Sequence, residues 1–224
     1  MTGASSGIGL RTAERLVDAG ALVAIFSRSE SKLRTIAAKH PDRMLAVAGD
    51  VTNTDAIDGL FTMVESRFGD CDLLINNAGT VNPKRLVDTT PQEWQHMFDV
   101  HVLGTYLATR RALMKMIKLR RGTIVNVASI SGVVGTTKFT GMVSYASSKA
   151  AVIGMTEALA AEVREHRIRV NCVSPGSVDT PMLRAAAPSA LPDMTPDQVA
   201  NAILFLASDR SAPISGQNLH VFSA

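Results

Sequence analysis

Thr2-Gly3-Ala4-Ser5-Ser6-Gly7-Ile8-Gly9 begins at the second residue of the chain, and Leu10 to Ala19 follow it with Ala13, Leu16 and Val17 on one helical face. Glycines at 3, 7 and 9 permit positive φ and a close approach of backbone to a ligand. A glycine turn that opens a helix presents free N–H groups, and the positive end of the helix dipole, to a pyrophosphate. The spacing is Gly-x-x-x-Gly-x-Gly rather than Gly-x-Gly-x-x-Gly. Standing alone, the motif would read as an ordinary glycine-rich turn.

The rest of the chain supplies the context. Strand-like runs at 21–27, 43–48, 71–76, 122–128, 167–173 and 217–222 alternate with helical patterns at 7–19, 29–39, 54–68, 91–118, 144–165 and 196–207. Strands alternating with helices predict a parallel sheet covered on both faces. With right-handed crossovers this is an α/β, doubly wound, mostly parallel Rossmann-type sheet. No Pro/Gly/Ser-rich linker, repeat or low-complexity segment divides the 224 residues, which suit one domain.

Several strand ends carry polar motifs. Asp50-Val51 closes the run Met44 to Ala48, and Asn76-Asn77-Ala78-Gly79 closes Leu73 to Ile75. Ser129 follows Ile124 to Ala128, while Ser174-Pro175-Gly176 and Thr180-Pro181-Met182 follow Ile168 to Val173. The run Val143-Ser144-Tyr145-Ala146-Ser147-Ser148-Lys149 puts Tyr145 and Lys149 four residues apart, on one face of a helix. A phenol ordinarily keeps its proton to about pH 10, and a neighbouring ammonium favours the phenolate. A Tyr tuned in this way can exchange a proton near neutral pH.

Taken in order, these motifs resemble the short-chain dehydrogenase/reductase family in its single-domain form, over nearly the whole chain. The resemblance implies a nicotinamide-dependent oxidoreductase acting on a small carbonyl or alcohol. Ser129 would hydrogen-bond the substrate oxygen, Tyr145 would give or take its proton, and Lys149 would lower the Tyr pKa and hold the nicotinamide ribose. Two hydroxyl donors aimed at an oxygen that gains charge would stabilise it. For the cofactor, the resemblance assigns Gly3, Ser5, Ser6, Gly7, Ile8 and Gly9 to the pyrophosphate and adenosine ribose. Asp50 would bond the adenine with Val51 packed against it, and Asn77, Ala78 and Gly79 would line the ribose side. Val178 and Thr180 would meet the carboxamide and phosphates. Tyr145 and Lys149 count among the cofactor contacts too.

The chain departs from the family pattern in four places. Only Met1 and Thr2 precede Gly3, so the first strand is expected to be missing, as in a chain truncated at its N-terminus. The C-terminus is short as well, with Phe222-Ser223-Ala224 where a glycine-rich tail would follow the last strand. Ser129 and Tyr145 are sixteen positions apart, a few more than usual, and the added residues fall in Thr136 to Met142. Finally, the Asn that supports a proton relay to the Lys is here His101, in Met97-Phe98-Asp99-Val100-His101-Val102-Leu103-Gly104. A neutral imidazole both donates and accepts, so a relay can survive; a packed helical His with no catalytic part fits equally.

The segment Ala24-Ile25-Phe26-Ser27-Arg28-Ser29 has no acid to bind a free 2′-hydroxyl, and Arg28 can pair with a 2′-phosphate. NADP is therefore favoured, with NAD the alternative. The apolar content of 46% is ordinary, and a net charge of +3 without an aromatic-interleaved basic stripe argues against nucleic acid. Lys115, Lys118, Arg120 and Arg121 read as a solvated helix end. Cys71 and Cys172 form no metal pattern and suit reduced thiols in a cytoplasmic protein. No apolar run is long enough for a membrane span. Surplus apolar residues on helices 91–118 and 144–165 predict a homodimer or homotetramer. A non-catalytic dinucleotide-binding sensor or scaffold, or a dehydratase or epimerase on the same fold, are the alternative functions.

Overall fold

The computed structural model describes residues 1–222. Six helix–strand alternations organise it: α1 Gly7–Asp18, β1 Val23–Ser27, α2 Glu30–Ala37, β2 Met44–Ala48, α3 Thr54–Phe68 and β3 Leu73–Asn76 come first. Then follow α4 Pro91–Phe98, α5 Gly104–Leu119, β4 Gly122–Val127, α6 Val143–Glu162, β5 Ile168–Pro175, α7 Pro181–Ala186, α8 Pro196–Ala207 and β6 Asn218–Val221. All strand pairs are parallel. The strand β1 pairs with β2 in the register Val23↔Met44, and β3-β4-β5-β6 form a second run through Leu73↔Thr123, Gly122↔Ile168 and Cys172↔Asn218.

Between β1 and β3 lies the position where the first strand was expected to be missing. Met1 and Thr2 stand there alone. Phe26 N–H donates to the Met1 carbonyl at 3.0 Å, Gly3 N–H to the Phe26 carbonyl at 2.8 Å, and Thr2 N–H to the Ile75 carbonyl at 3.0 Å. The Met1 α-amino group donates to the Ala24 carbonyl at 2.8 Å. Phe26 and Ile75 sit near the ends of their strands, so the sheet is joined at its carboxyl edge, the edge that carries the site.

Successive strand side chains point to opposite faces, and both faces are covered. Val125 and Val173 pack with Ala13, Leu16, Ile203 and Leu206 of α1 and α8. Ile124 and Val170 pack with Ile57 and Phe61 of α3 and Ala108, Ala112 and Met116 of α5. The single helix expected over 91–118 is corrected: a π-helical turn, Asp99–Leu103, separates α4 from α5. There the backbone of Gly104 approaches Val51 so closely that a Cβ would lie 2.8 Å from its side chain. The basic cluster at the end of α5 is a solvated helix end, with Lys115 paired to Asp70 and Arg121 to Asp72 at 3.3 and 3.2 Å. Of the expected C-terminal departure, Ser223 and Ala224 lie outside the described residues. No helix among the described residues is long and apolar enough to cross a membrane.

Candidate active site

A cleft of about 1320 Å³ opens along the carboxyl edge of the sheet. Every residue assigned from the sequence to catalysis or to the cofactor lines it: Gly3, Ser5, Ser6, Gly7, Ile8, Gly9, Arg28, Asp50, Val51, Asn77, Ala78, Gly79, Ser129, Tyr145, Lys149, Val178 and Thr180. The spacing of motifs along the chain thus becomes one continuous wall.

At one end, Gly3 and Gly7 adopt φ of +66° and +54°, which an L side chain rarely tolerates. A Cβ on Gly9 would strike the Gly3 carbonyl and lie 2.5 Å from Asn77 Nδ2. The turn is braced from β3: Asn77 Nδ2 donates to the Gly3 carbonyl at 3.0 Å, and Thr2 Oγ1 accepts from the backbone N–H groups of Asn77 and Ala78 at 3.1 Å each. Asn77 is therefore a support of the turn as well as a lining residue. The first turn of α1 has no side-chain cap and no acidic residue, so its N–H groups remain free to face an anion. A Cβ on Gly7 would be 3.1 Å from Thr180 Cγ2, which places the start of α7 across the same gap.

Asp50 holds the neighbouring turn by accepting from Thr52 N–H at 2.9 Å and Thr52 Oγ1 at 2.8 Å. Burial alone would raise its pKa; those two bonds, with the charges of Arg28 and His96, bring it below the usual carboxylate range. Lys32 and His96 also line this end beside Arg28, and the sequence reading did not single them out. They are distant in the chain from the glycine turn, so no local spacing marks them.

The catalytic end is built by β4 and α6. Ser129 is buried in extended backbone and caps a short 3-10 turn, its Oγ accepting from Ser131 N–H at 3.2 Å. Lys149 is buried, and its Nζ donates to the Val127 carbonyl at 2.9 Å while lying 5.8 Å from the centre of the Tyr145 ring. Burial pushes the Lys149 pKa down to about 8. Burial also pushes the Tyr145 pKa up, with Ser129 acting the other way. The direction differs from the expected lowering by Lys149, because burial of the phenol is the larger effect. The added residues between Ser129 and Tyr145 form an ordered loop. Lys138 Nζ donates to the carbonyls of Ser131 and Val133, and Gly141 accepts from Lys84 N–H at 2.9 Å.

Below the site runs a buried polar network that the sequence reading missed. Asn76 Nδ2 donates to Asn126 Oδ1 at 2.9 Å and Thr109 Oγ1 at 3.0 Å, and Asn126 Nδ2 donates to Thr156 Oγ1 at 2.9 Å. It ties β3 and β4 to α5 and α6. Its one visible signal was Asn126 within the apolar run Ile124 to Ala128, since a buried amide requires partners.

The cleft suits a dinucleotide: a backbone cradle that any Cβ would fill, free helix-terminal N–H groups, and hydroxyl and ammonium groups at the far end. Among the described residues no cluster of His, Cys, Asp or Glu could hold a metal ion. The family model described as short chain dehydrogenase matches residues 1–190. The chain is 36% identical to the 3-oxoacyl-acyl-carrier-protein reductase FabG of Thermotoga maritima, over 97% of this chain and 92% of that one. It is 35% identical to the (2S)-[(R)-hydroxy(phenyl)methyl]succinyl-CoA dehydrogenase subunit BbsD of Thauera aromatica, over 99% and 93%. The solved 3-ketoacyl-(acyl-carrier-protein) reductase of Brucella melitensis complexed with NADH superposes with a TM-score of 0.91 at 30% identity, over 98% of this chain and 94% of that one.

Proposed function

The chain belongs to the short-chain dehydrogenase/reductase family of nicotinamide-dependent oxidoreductases, and from that premise we propose that it reduces a carbonyl, or oxidises the matching alcohol, with NADP as preferred cofactor and Tyr145 as the acid/base. The observation that carries this reading is the convergence of Ser129, Tyr145 and Lys149 on the wall of the cleft that also holds the glycine turn. Bound nicotinamide dinucleotide supplies or accepts the hydride. Tyr145 gives its phenolic proton to the substrate oxygen on reduction and takes it back on oxidation, and Ser129 donates a hydrogen bond to that oxygen. Lys149, held by the Val127 carbonyl, places a cation beside the reacting groups. Asp50 and Val51 would hold the adenine, and Asn77, Ala78 and Gly79 the ribose side. Gly3 to Gly9, Val178 and Thr180 would take the phosphates and carboxamide.

Arg28 and Lys32 on the adenosine side, with no acid at the end of β1, support a 2′-phosphate and hence NADP. Ile130, Phe139, Met142, Met182 and Leu183 support a substrate with an apolar body. A second copy of the chain is the partner proposed for α5 and the π-helical turn before it, where Leu103, Tyr106, Met114 and Ile117 are exposed along one stripe. Met97, Val152 and Val163, apolar residues within the expected helices 91–118 and 144–165, are core residues instead. Two free cysteines fit a reducing, cytoplasmic setting.

Replacing Tyr145 with Phe tests the assignment. Turnover is expected to fall about 10³-fold while NADPH affinity, read by fluorescence titration, stays within a few-fold. Turnover close to that of the parent would remove Tyr145 from the chemistry.

A further inference from the structure

We propose that His101 is a positioning residue: a clasp between the Gly79–Thr80 loop and the Tyr145–Ser148 turn, through whose ring no proton passes during turnover. The inference rests on the reading of Tyr145 as acid/base. His101 stands where the resembled family carries the Asn of its relay, so the question is whether the imidazole inherits that part.

The hydrogen bonds answer it by counting protons. The ring is only 1% exposed. Its Nε2 accepts from the backbone N–H of Thr80 at 3.0 Å. An amide N–H can only donate, so Nε2 carries a lone pair, and the proton of the neutral ring sits on Nδ1. Nδ1 lies 2.8 Å from Ser148 Oγ and donates to it. The Ser148 hydroxyl then has one hydrogen left, which it donates to the Tyr145 carbonyl at 2.8 Å. The chain Thr80 → His101 → Ser148 → Tyr145 therefore runs in one direction and ends on backbone. A second proton on Nε2 would face the Thr80 N–H head-on, donor against donor.

His101 borders the cleft, and packing covers nearly all of the ring. A Cβ on Gly79 would lie 3.2 Å from Nε2 and 3.7 Å from Lys149 Nζ, so the loop backbone is seated against the ring. The Tyr145 ring meets the imidazole edge-on, with centres 5.4 Å apart. The carbonyl of His101 already accepts from Thr105 Oγ1 at 2.7 Å. The titratable groups facing the ring are Tyr145 and Lys149 on α6 and His96 on α4, none of which is a carboxylate that would favour an imidazolium. The π-helical turn at Asp99–Leu103 is what carries His101 into this position, and such turns recur at functional sites. What the clasp contributes is placement: it holds the loop bordering the nicotinamide end and the backbone of the catalytic Tyr in fixed relation.

The test reads the ring directly. In two-bond ¹H–¹⁵N spectra of the ¹⁵N-labelled protein, His101 is expected to show the Nδ1–H tautomer, with shifts constant from pH 5 to 9. An Nε2–H tautomer, or titration inside that range, would overturn the proposal. This measurement needs no turnover, so a wrong assignment of the activity is distinguishable from a wrong clasp. Kinetics supply the second arm. Gln at position 101 retains an acceptor for Thr80, Asn retains a donor for Ser148, and Leu retains neither. H101Q and H101N are expected within about tenfold of the parent kcat and H101L about 10²-fold below it, all with unmoved limbs in the pH profile of kcat. Collapse of H101Q and H101N to the level of H101L, with a displaced limb and an enlarged solvent isotope effect, would make the ring a proton carrier.

Discussion

Acidification should destabilise this protein through His101 well before its carboxylates respond. Burial first, and then the Lys149 charge, push the His101 pKa down to about 2 from an ordinary 6.5. The folded protein therefore stays neutral at that site while the unfolded chain takes up a proton below pH 6.5. The stability from this site is fully present above pH 6.5 and is lost as pH falls toward the folded value. At pH 5.0 the loss amounts to about 2 kcal/mol, and at pH 7.5 to almost nothing. The buried Met1 α-amino group, its pKa lowered from 8.0 chiefly by burial, also loses stability across this window, and comparison with a His101 variant cancels that common loss; the remaining shifted groups stay out of it. The depressed carboxylates Asp50, Glu93 and Asp197 begin to respond only below their ordinary values of 3.8 to 4.5. Lys149, lowered to about 8 from 10.5, changes state only at alkaline pH. Urea unfolding of the parent and of H101Q at pH 7.5 and 5.0 gives a double difference in which constant packing effects cancel. The parent should lose about 2 kcal/mol more than the variant. Equal losses would show that the ring is protonated in the folded state and would refute the argument.

Arg28→Asp should raise the kcat/KM ratio of NADH to NADPH by at least about tenfold, since a carboxylate repels a 2′-phosphate and accepts from a 2′-hydroxyl; an unchanged ratio would leave Lys32 as the reader of the phosphate. Gly9→Ala should cost about 1–3 kcal/mol of stability and weaken cofactor binding more than tenfold, because its Cβ meets Gly3 and Asn77; thermal unfolding and a fluorescence titration check both, and parent-like values would mean the turn can shift freely. Light scattering at micromolar concentration should give a dimer or tetramer mass; a monomer would leave Leu103, Tyr106, Met114 and Ile117 as bare apolar surface.

Much of the fold was legible because its signals are local. The glycine turn needs particular φ values, strands and helices differ in hydrophobic period, and Tyr145 and Lys149 share a face by helical geometry alone. These requirements act within a few residues, so the order of elements could be read without coordinates, and the resemblance carried by the ordered motifs supplied the residues expected to line the cleft. The π-helical turn within 91–118 was not legible, since no residue type or spacing there marks it, and Gly104, which follows it, meets Val51 from elsewhere in the chain.

The sequence by itself determined that the chain winds into a parallel sheet, that its polar strand ends gather at one edge, and many of the side chains that edge presents, though not Lys32 or His96. Tertiary structure alone decided the state of those side chains. The joining of two sheet halves by Met1 and Thr2, the tautomer of His101 and the amide network from Asn76 to Thr156 all depend on partners twenty or more residues away. Tyr145 and Lys149 illustrate the reason: adjacency on a helix suggested an ammonium lowering a phenol, but burial dominates both groups, raising the phenol and lowering the ammonium, while Lys149 donates to the Val127 carbonyl. Desolvation and hydrogen-bond direction are properties of the assembled surroundings, which no spacing in the chain encodes.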